Sequence, residues 1–458
     1  MKCKSNTNSR ELNLKECSKL RTRKLLNVLL FLSSYFIGLL FAFRIYPIFA
    51  FVVYQAVYFY NPQKRWWGPL IPDISYSYYT VIIMILLYLF KKKQYGNKVM
   101  AIPQLKIAWI LCFLYGLTYF LSPIPELHYD AWMFYVKMLV TLTIAFKLCD
   151  SIDKFNYVLF GYIYGAWYMG FYVYQVGRNS GGRVERVGMV DSPDANGLAA
   201  ALAPSIVLTL YFFWVTKNKL AKAAFAVAGV FIANAIVLIN SRGAFLAVAL
   251  STAIFLWIMF TSSFQRKFQK QTAIAILITG LAGGLYLADD AFIERMYTLG
   301  EQTEVDSDRE TGATRMVFWK AAWDMAKDYP FGKGFRGFNQ IGYHYIPAHV
   351  NTGGKRTRTV HSTWFEALSE VGYAGLLLFI LMIYFSFKTT QRCKQILKEQ
   401  KEVDEYFKVV AIQCALIAFI VAMTFLNRMR AEILHWCVLF TAIAYQLYVL
   451  NKKDSSNV

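Results

Sequence analysis

Charge is scarce in this sequence: 17% of its 458 residues are Asp, Glu, Lys or Arg, where soluble globular chains carry roughly 25%. Acidic residues are the scarcer sign, 28 against 49 basic ones. A row of soluble domains counted by length is therefore excluded. Instead 57% of the residues are hydrophobic, gathered in apolar runs of roughly 17 to 23 residues, long enough for helices to cross a bilayer. The net charge of +21 does not imply a nucleic-acid partner, because much of it lies in short segments between apolar runs and reads as membrane topology. Cysteine is sparse and poorly placed for cross-linking. Cys3 and Cys17 precede the first run, Cys393 lies in a basic segment, and Cys112, Cys149, Cys414 and Cys437 lie within apolar runs. No disulfide is expected, and no spacing suggests a metal site.

These features predict an all-α fold, a polytopic helical membrane protein of roughly twelve transmembrane helices with one large outer loop containing short helices. Residues 1–24 carry eight Lys or Arg and form a basic cytoplasmic tail. The run that follows is too long for a signal-peptide core and lacks a small-residue cleavage site, so it is expected to stay as the first span. Residues 25–288 then make an N-terminal transmembrane bundle, 289–360 the extracytoplasmic loop, 361–450 the C-terminal transmembrane helices and 451–458 a second cytoplasmic tail. Lys91-Lys92-Lys93 also reads as cytoplasmic. An even number of crossings must precede it, so part of 45–60 should lie along the interface or re-enter. The basic segment 388–401 reads as a cytoplasmic loop. Segments 177–192, 240–242 and 289–360 fall on the outer side, where Arg178, Arg183, Arg186 and Arg242 break the usual charge bias.

Ser241-Arg242-Gly243-Ala244 joins two apolar runs with almost no loop. Its guanidinium is either an interfacial arginine that snorkels to water or an anion clamp with paired donors. Arg315 is set apart by its helical position. At 100° per residue Lys320, Asp324 and Lys327 form a polar stripe, while Arg315 falls among Phe318, Trp319, Ala322 and Trp323. A cation folded over a tryptophan is the structural alternative to a ligand contact. His361 opens the helix that re-enters the membrane, with Ser362 and Thr363 as capping groups and Glu366 and Glu370 further along. A neutral imidazole there can act as a base or merely fill a cap. His344 and His349 are rivals in the same loop. Asp306-Ser307-Asp308 has a metal-holding Asp-x-Asp spacing within the acidic run 301–310, which reads as solvated loop, and Trp66-Trp67-Gly68 fits an aromatic belt.

Together, Ser241-Arg242-Gly243-Ala244, Arg315 with Trp319 and Pro330-Phe331-Gly332-Lys333-Gly334, and His361-Ser362 with Gly372 and Gly375 resemble the O-antigen ligase and polymerase superfamily of bacterial envelope enzymes. Arg186-x-Gly188 before Pro193-Asp194-Ala195-Asn196 is also similar, although the family's usual form is a tighter Pro-Asn. The resemblance covers about 177–378. Residues 60–68 look similar to the O-glycosylation ligase subgroup associated with exosortase systems.

The resemblance implies transfer of a glycan from a polyprenyl-diphosphate lipid to an acceptor hydroxyl on lipid, protein or growing glycan. It places the reaction at the outer face of the bacterial inner (plasma) membrane, with both termini cytoplasmic and membrane lipids as surroundings. His361 would be the catalytic base. Arg242 and Arg315 would hold the diphosphate, with Arg186 a third cation. No metal and no cofactor are expected. A repeat-unit polymerase of the same superfamily is the alternative. A transporter or flippase of lipid-linked glycans is the rival from another class, with Lys137 as its intramembrane cation.

Overall fold

A computed structural model describes residues 10–180, 182–288, 290, 292–293, 312–350 and 358–451. The Asp306-Ser307-Asp308 spacing and the acidic run around it lie outside the described residues. The chain is a polytopic all-α membrane protein. In order, the helices are α1 (Arg10–Arg44), α2 (Phe49–Tyr60), α3 (Tyr76–Phe90), α4 (Pro103–Leu117), α5 (Pro125–Leu148), α6 (Ile152–Val176), α7 (Ala195–Val215) and α8 (Lys219–Ile239). They continue with α9 (Arg242–Thr261), α10 (Gln269–Leu287), α11 (Gly312–Asp328), α12 (Gly337–Ile341), α13 (Thr363–Glu399), α14 (Val403–Met423) and α15 (Glu432–Tyr445).

Among the described residues, ten helices are long and apolar enough to cross a membrane. The apolar Tyr76–Phe90 is shorter, and α6 has 25 residues without being one of the ten. The local chemistry explains most boundaries. Pro103 and Pro125 start α4 and α5, where a missing N–H is harmless. Asp194 caps α7 through the Gly197 N–H, and Asn218 caps α8. Asn61 and Asn240 end α2 and α8 in the left-handed conformation.

Helix α2 accounts for the odd run at 45–60. Its 12 residues extend only about 18 Å, too short for a hydrocarbon core of about 30 Å. It is buried over almost its whole length and packs on α1, α3 and α6. The basic segment 388–401 departs from the expected loop, because α13 runs on through it to Glu399.

The centre of the bundle is α7, α14 and α15, whose membrane windows are 78%, 78% and 89% buried. Ala200 and Ala203 of α7 meet Ala247 of α9 and Ala418 and Ala422 of α14. Small side chains let these backbones approach closely, which lipid-soluble helices need because no water drives them together. At the other extreme, α10 is only 6% buried and rests on α9 and α8.

Candidate functional site

The site is built where the end of α11, the entry to α13 and the 424–431 link meet. Helix α13 is broken at Gly372, whose φ of 72° and ψ of −166° lie outside the range of a residue with a side chain. The break accepts the turn that follows α11. Tyr373 N–H donates to the Pro330 carbonyl at 3.0 Å, while Lys333 and Gly334 N–H donate to the Ser369 and Glu370 carbonyls at 2.9 Å each. A Cβ on Gly372 would lie 2.0 Å from the Pro330 oxygen. The Pro-Phe-Gly-Lys-Gly motif is thus the piece that seats α11 on α13.

Helix α11 then lies over the start of α13. Phe318, Ala321, Ala322 and Met325 form a small core with Phe338 and Val360. Trp319 donates Nε1–H to the Val360 carbonyl at 3.1 Å and stacks on Phe365, with centroids 5.6 Å apart. Arg315 stands one turn before Trp319, half-buried, whereas Lys320 is exposed and Lys327 pairs with Asp324 at 2.7 Å. The polar stripe and the separate face for Arg315 are therefore both present.

His361 follows Val360 directly. It is half-buried, with φ of 49°, a left-handed backbone that costs a side-chain-bearing residue roughly 1–3 kcal/mol. Its Nε2 is 2.6 Å from Thr359 Oγ1. The residues expected to cap this helix do not do so. Ser362 makes no side-chain cap bond, and its buried Oγ has no hydrogen-bond partner among the described residues. Thr363 Oγ1 reaches sideways, donating to the Leu426 carbonyl at 2.7 Å and accepting from Arg428 N–H at 3.0 Å. Tertiary stitching has replaced local capping. The rival histidines His344 and His349 are exposed. His128 and His435 are internal: His128 accepts from Phe335 N–H at 2.8 Å, and His435 lies 3.1 Å from the Tyr135 hydroxyl.

Arg242 occupies the first turn of α9 and is half-buried. The neighbouring Gly243 leaves room for Phe425, 3.6 Å from where a Cβ would be, and Phe425 lies 6.4 Å from Trp319. A path of contacts, Gly243 to Phe425 to Trp319 to Val360, gathers the Arg242, Arg315 and His361 backbones at one end of the bundle. Arg186 is placed differently. It is exposed, with φ of 61°, on a loop connected to the rest through Asp194. Asp194 forms an ion pair with Arg428, whose N–H bonds Thr363 two residues after His361. Burial alone would raise the Asp194 carboxyl, but Arg428 and the Gly197 N–H outweigh it and hold it below its usual range. Asn196 accepts from Arg183 at 3.0 Å.

Several residues of this region escaped sequence reasoning. Arg430 pairs with Glu370 and lies 3.3 Å from Glu366, all three side chains being nearly buried. Burial alone would weaken its charge, but Glu370, Tyr115 and Glu366 outweigh that effect and raise its pKa. Arg428 and Arg430 were detectable, as two more arginines between apolar runs. Arg65 is the other omission. Its buried guanidinium donates to the Tyr60, Val187 and Phe59 carbonyls at 2.8, 2.7 and 3.0 Å and lies 4.6 Å from the Tyr172 ring. It thereby holds the Arg186 loop. The adjacent Trp67 is no belt residue but fully buried against Phe31.

An apolar groove of about 280 Å³ is lined by Met316, Trp319, Lys320, Trp323 and Phe365. Lys137, the cation a transport path would need, is exposed on α5 rather than enclosed by the bundle.

The fold defines the class as a polytopic helical membrane protein, with arginines and a histidine on the elements around the junction of α11 and α13. Residues 227–380 match the family model described as O-antigen ligase, so this part of the chain is similar to the O-antigen ligases. The match contains Arg242, Arg315 and His361, and leaves Arg186 and Arg430 outside it. No curated protein matches the chain.

Proposed function

We propose that this ligase-type membrane enzyme transfers a glycan from a polyprenyl-diphosphate lipid to an acceptor hydroxyl, with Arg242 and Arg315 as the diphosphate clamp and His361 as the base. The observation that supports the reading is that close neighbours of the three residues, Gly243 beside Arg242, Trp319 one turn after Arg315 and Val360 before His361, are linked through Phe425 and Trp319. A diphosphate is a ready leaving group, so catalysis requires stabilisation of its growing negative charge and removal of the acceptor proton. Guanidinium groups supply the first through paired donors. A neutral imidazole supplies the second.

The acceptor oxygen forms its bond to the anomeric carbon while the bond from that carbon to the diphosphate oxygen breaks. The bonding pair leaves with the diphosphate, and the acceptor proton goes to His361. Direct attack inverts the anomeric centre. The groove along Met316, Trp319, Trp323 and Phe365 suits the hydrocarbon part of an amphiphile whose phosphates reach Arg315. Arg186, exposed on its own loop, serves as a further cation for the donor's head.

In this reading the reaction takes place at the outer face of the bacterial plasma membrane, and both chain termini are cytoplasmic. The test uses membranes containing the full chain, supplied with a polyprenyl-diphosphate-linked glycan. Replacing Arg315 with Ala should abolish transferred product at normal protein level, and unchanged product refutes the reading. Mass spectrometry of the products separates two acceptor classes. Full-length glycan on lipid or protein marks a ligase, a protein acceptor agreeing with the O-glycosylation subgroup, while a lengthening lipid-linked ladder marks a repeat-unit polymerase.

A further inference from the structure

We infer that Glu370 is a positioning residue that sets the spacing between the helix carrying Arg315 and the segment carrying His361. Its carboxylate is only 4% exposed, so it is closed to substrate. Each of its polar groups instead holds a different part of the site. One carboxylate oxygen accepts from Arg336 N–H at 2.8 Å, the other pairs with Arg430, and its carbonyl accepts from Gly334 N–H at 2.9 Å.

The path from one functional residue to the other passes through these bonds. Helix α11 ends at Asp328, and the turn 330–336 that follows it is held by Glu370 and the Gly372 break. On the far side Arg430 also reaches Glu366 at 3.3 Å. Glu366 accepts from Met429 N–H at 3.0 Å, and Arg428 N–H bonds Thr363, two residues beyond His361. Arg430 packs against the Tyr115 and Phe335 rings at 4.9 and 5.0 Å, so a lost carboxylate leaves its charge poorly compensated. Helices α11 and α13, which also meet through the Trp319–Phe365 and Trp323–Tyr373 rings, thus share one charged hub.

This inference rests on the roles proposed for Arg315 and His361, and its test separates the two. Trp323 of α11 and Tyr373 of α13 have ring centroids 6.0 Å apart and are both exposed. Cysteines introduced there, in a chain with Cys3 and Cys17 changed to serine, are cross-linked by a short bis-maleimide in membranes. The other native cysteines are buried.

Glu370→Gln is expected to lose this cross-link and to lower kcat about 100-fold with KM unchanged, as a misplacement of about 1 Å would. The paired change Glu370→Met with Arg430→Met, made in a Glu366→Gln background because Arg430 also pairs with Glu366, leaves no orphaned charge and should do the same at normal membrane level. An intact cross-link in the paired variant overturns the inference, even if kcat falls. Loss of the cross-link in a wild-type background that transfers no glycan upholds the coupling and refutes the proposed function instead.

Discussion

Replacing Gly372 with alanine is the sharpest perturbation the site offers. The backbone there, with φ of 72° and ψ of −166°, is a region that side chains avoid at a cost of roughly 1–3 kcal/mol. The new methyl would also lie 2.0 Å from the Pro330 oxygen and 2.7 Å from Phe331 Cα. Both are main-chain atoms, so no rotamer change relieves the overlap, and the turn at 330–334 must retreat by about 1 Å, a shift that typically costs about 100-fold in rate. Arg315 and His361 depend on that turn from opposite sides. The expected outcome is a Gly372→Ala protein that inserts at near-normal level but transfers glycan about 100-fold more slowly in a single-turnover assay. Gly280, with open space where a Cβ would go, is the control: Ala there should stabilise slightly, by up to about 1 kcal/mol. Wild-type turnover in Gly372→Ala would refute the claim that the seated turn organises the site.

Other outcomes can be checked alongside it. Arg65→Met strips three carbonyls of a buried donor, at about 1–3 kcal/mol for each group left unsatisfied. It should lower the melting temperature in detergent and raise KM through the Arg186 loop, with kcat less affected. Trp319→Phe keeps the stack on Phe365 and loses the bond to the Val360 carbonyl. A loss near 1 kcal/mol, read as a lower melting temperature with reduced kcat, is expected. The Asp194–Arg428 pair should respond to acid alone. Since the folded carboxyl pKa is depressed, its stabilisation is complete above the unfolded value of about 3.9 and is lost as pH falls through the lower folded value. A Asp194→Asn protein should therefore show a shallower acid limb in a melting-temperature profile, and an unchanged limb would rule the pair out as its source.

The bundle itself was legible because apolar run length and basic segments report directly on a bilayer. Arg315 was legible for a related reason, since its angular position on α11 separates it from Lys320, Asp324 and Lys327 whatever lies opposite. Periodicity says nothing about partners distant in sequence. Glu366 and Glu370 stood in view at the start of α13, but their value lies in Arg430, some sixty residues later, as the bond separations of 64 and 60 record. Thr363 was read as a local cap because capping is a short-range rule, and a longer-range bond to Leu426 took precedence. Trp67 looked interfacial because sequence cannot tell a ring facing lipid from one facing Phe31.

Helix α10 gives the molecule an unequal relation to its solvent. With 19 residues and 6% of its window buried, it spans about 28 Å and closely matches the hydrocarbon thickness. Among the described residues, nearly all its side chains lie outside the packed bundle, where acyl chains would surround them. A change in bilayer thickness acts first on the helix with the fewest protein contacts, which can tilt at little expense. The close alanine seam of α7, α9 and α14 has no such freedom. Lipid composition is thus felt by this protein at its rim, as an inclination of α10, before it is felt at its centre.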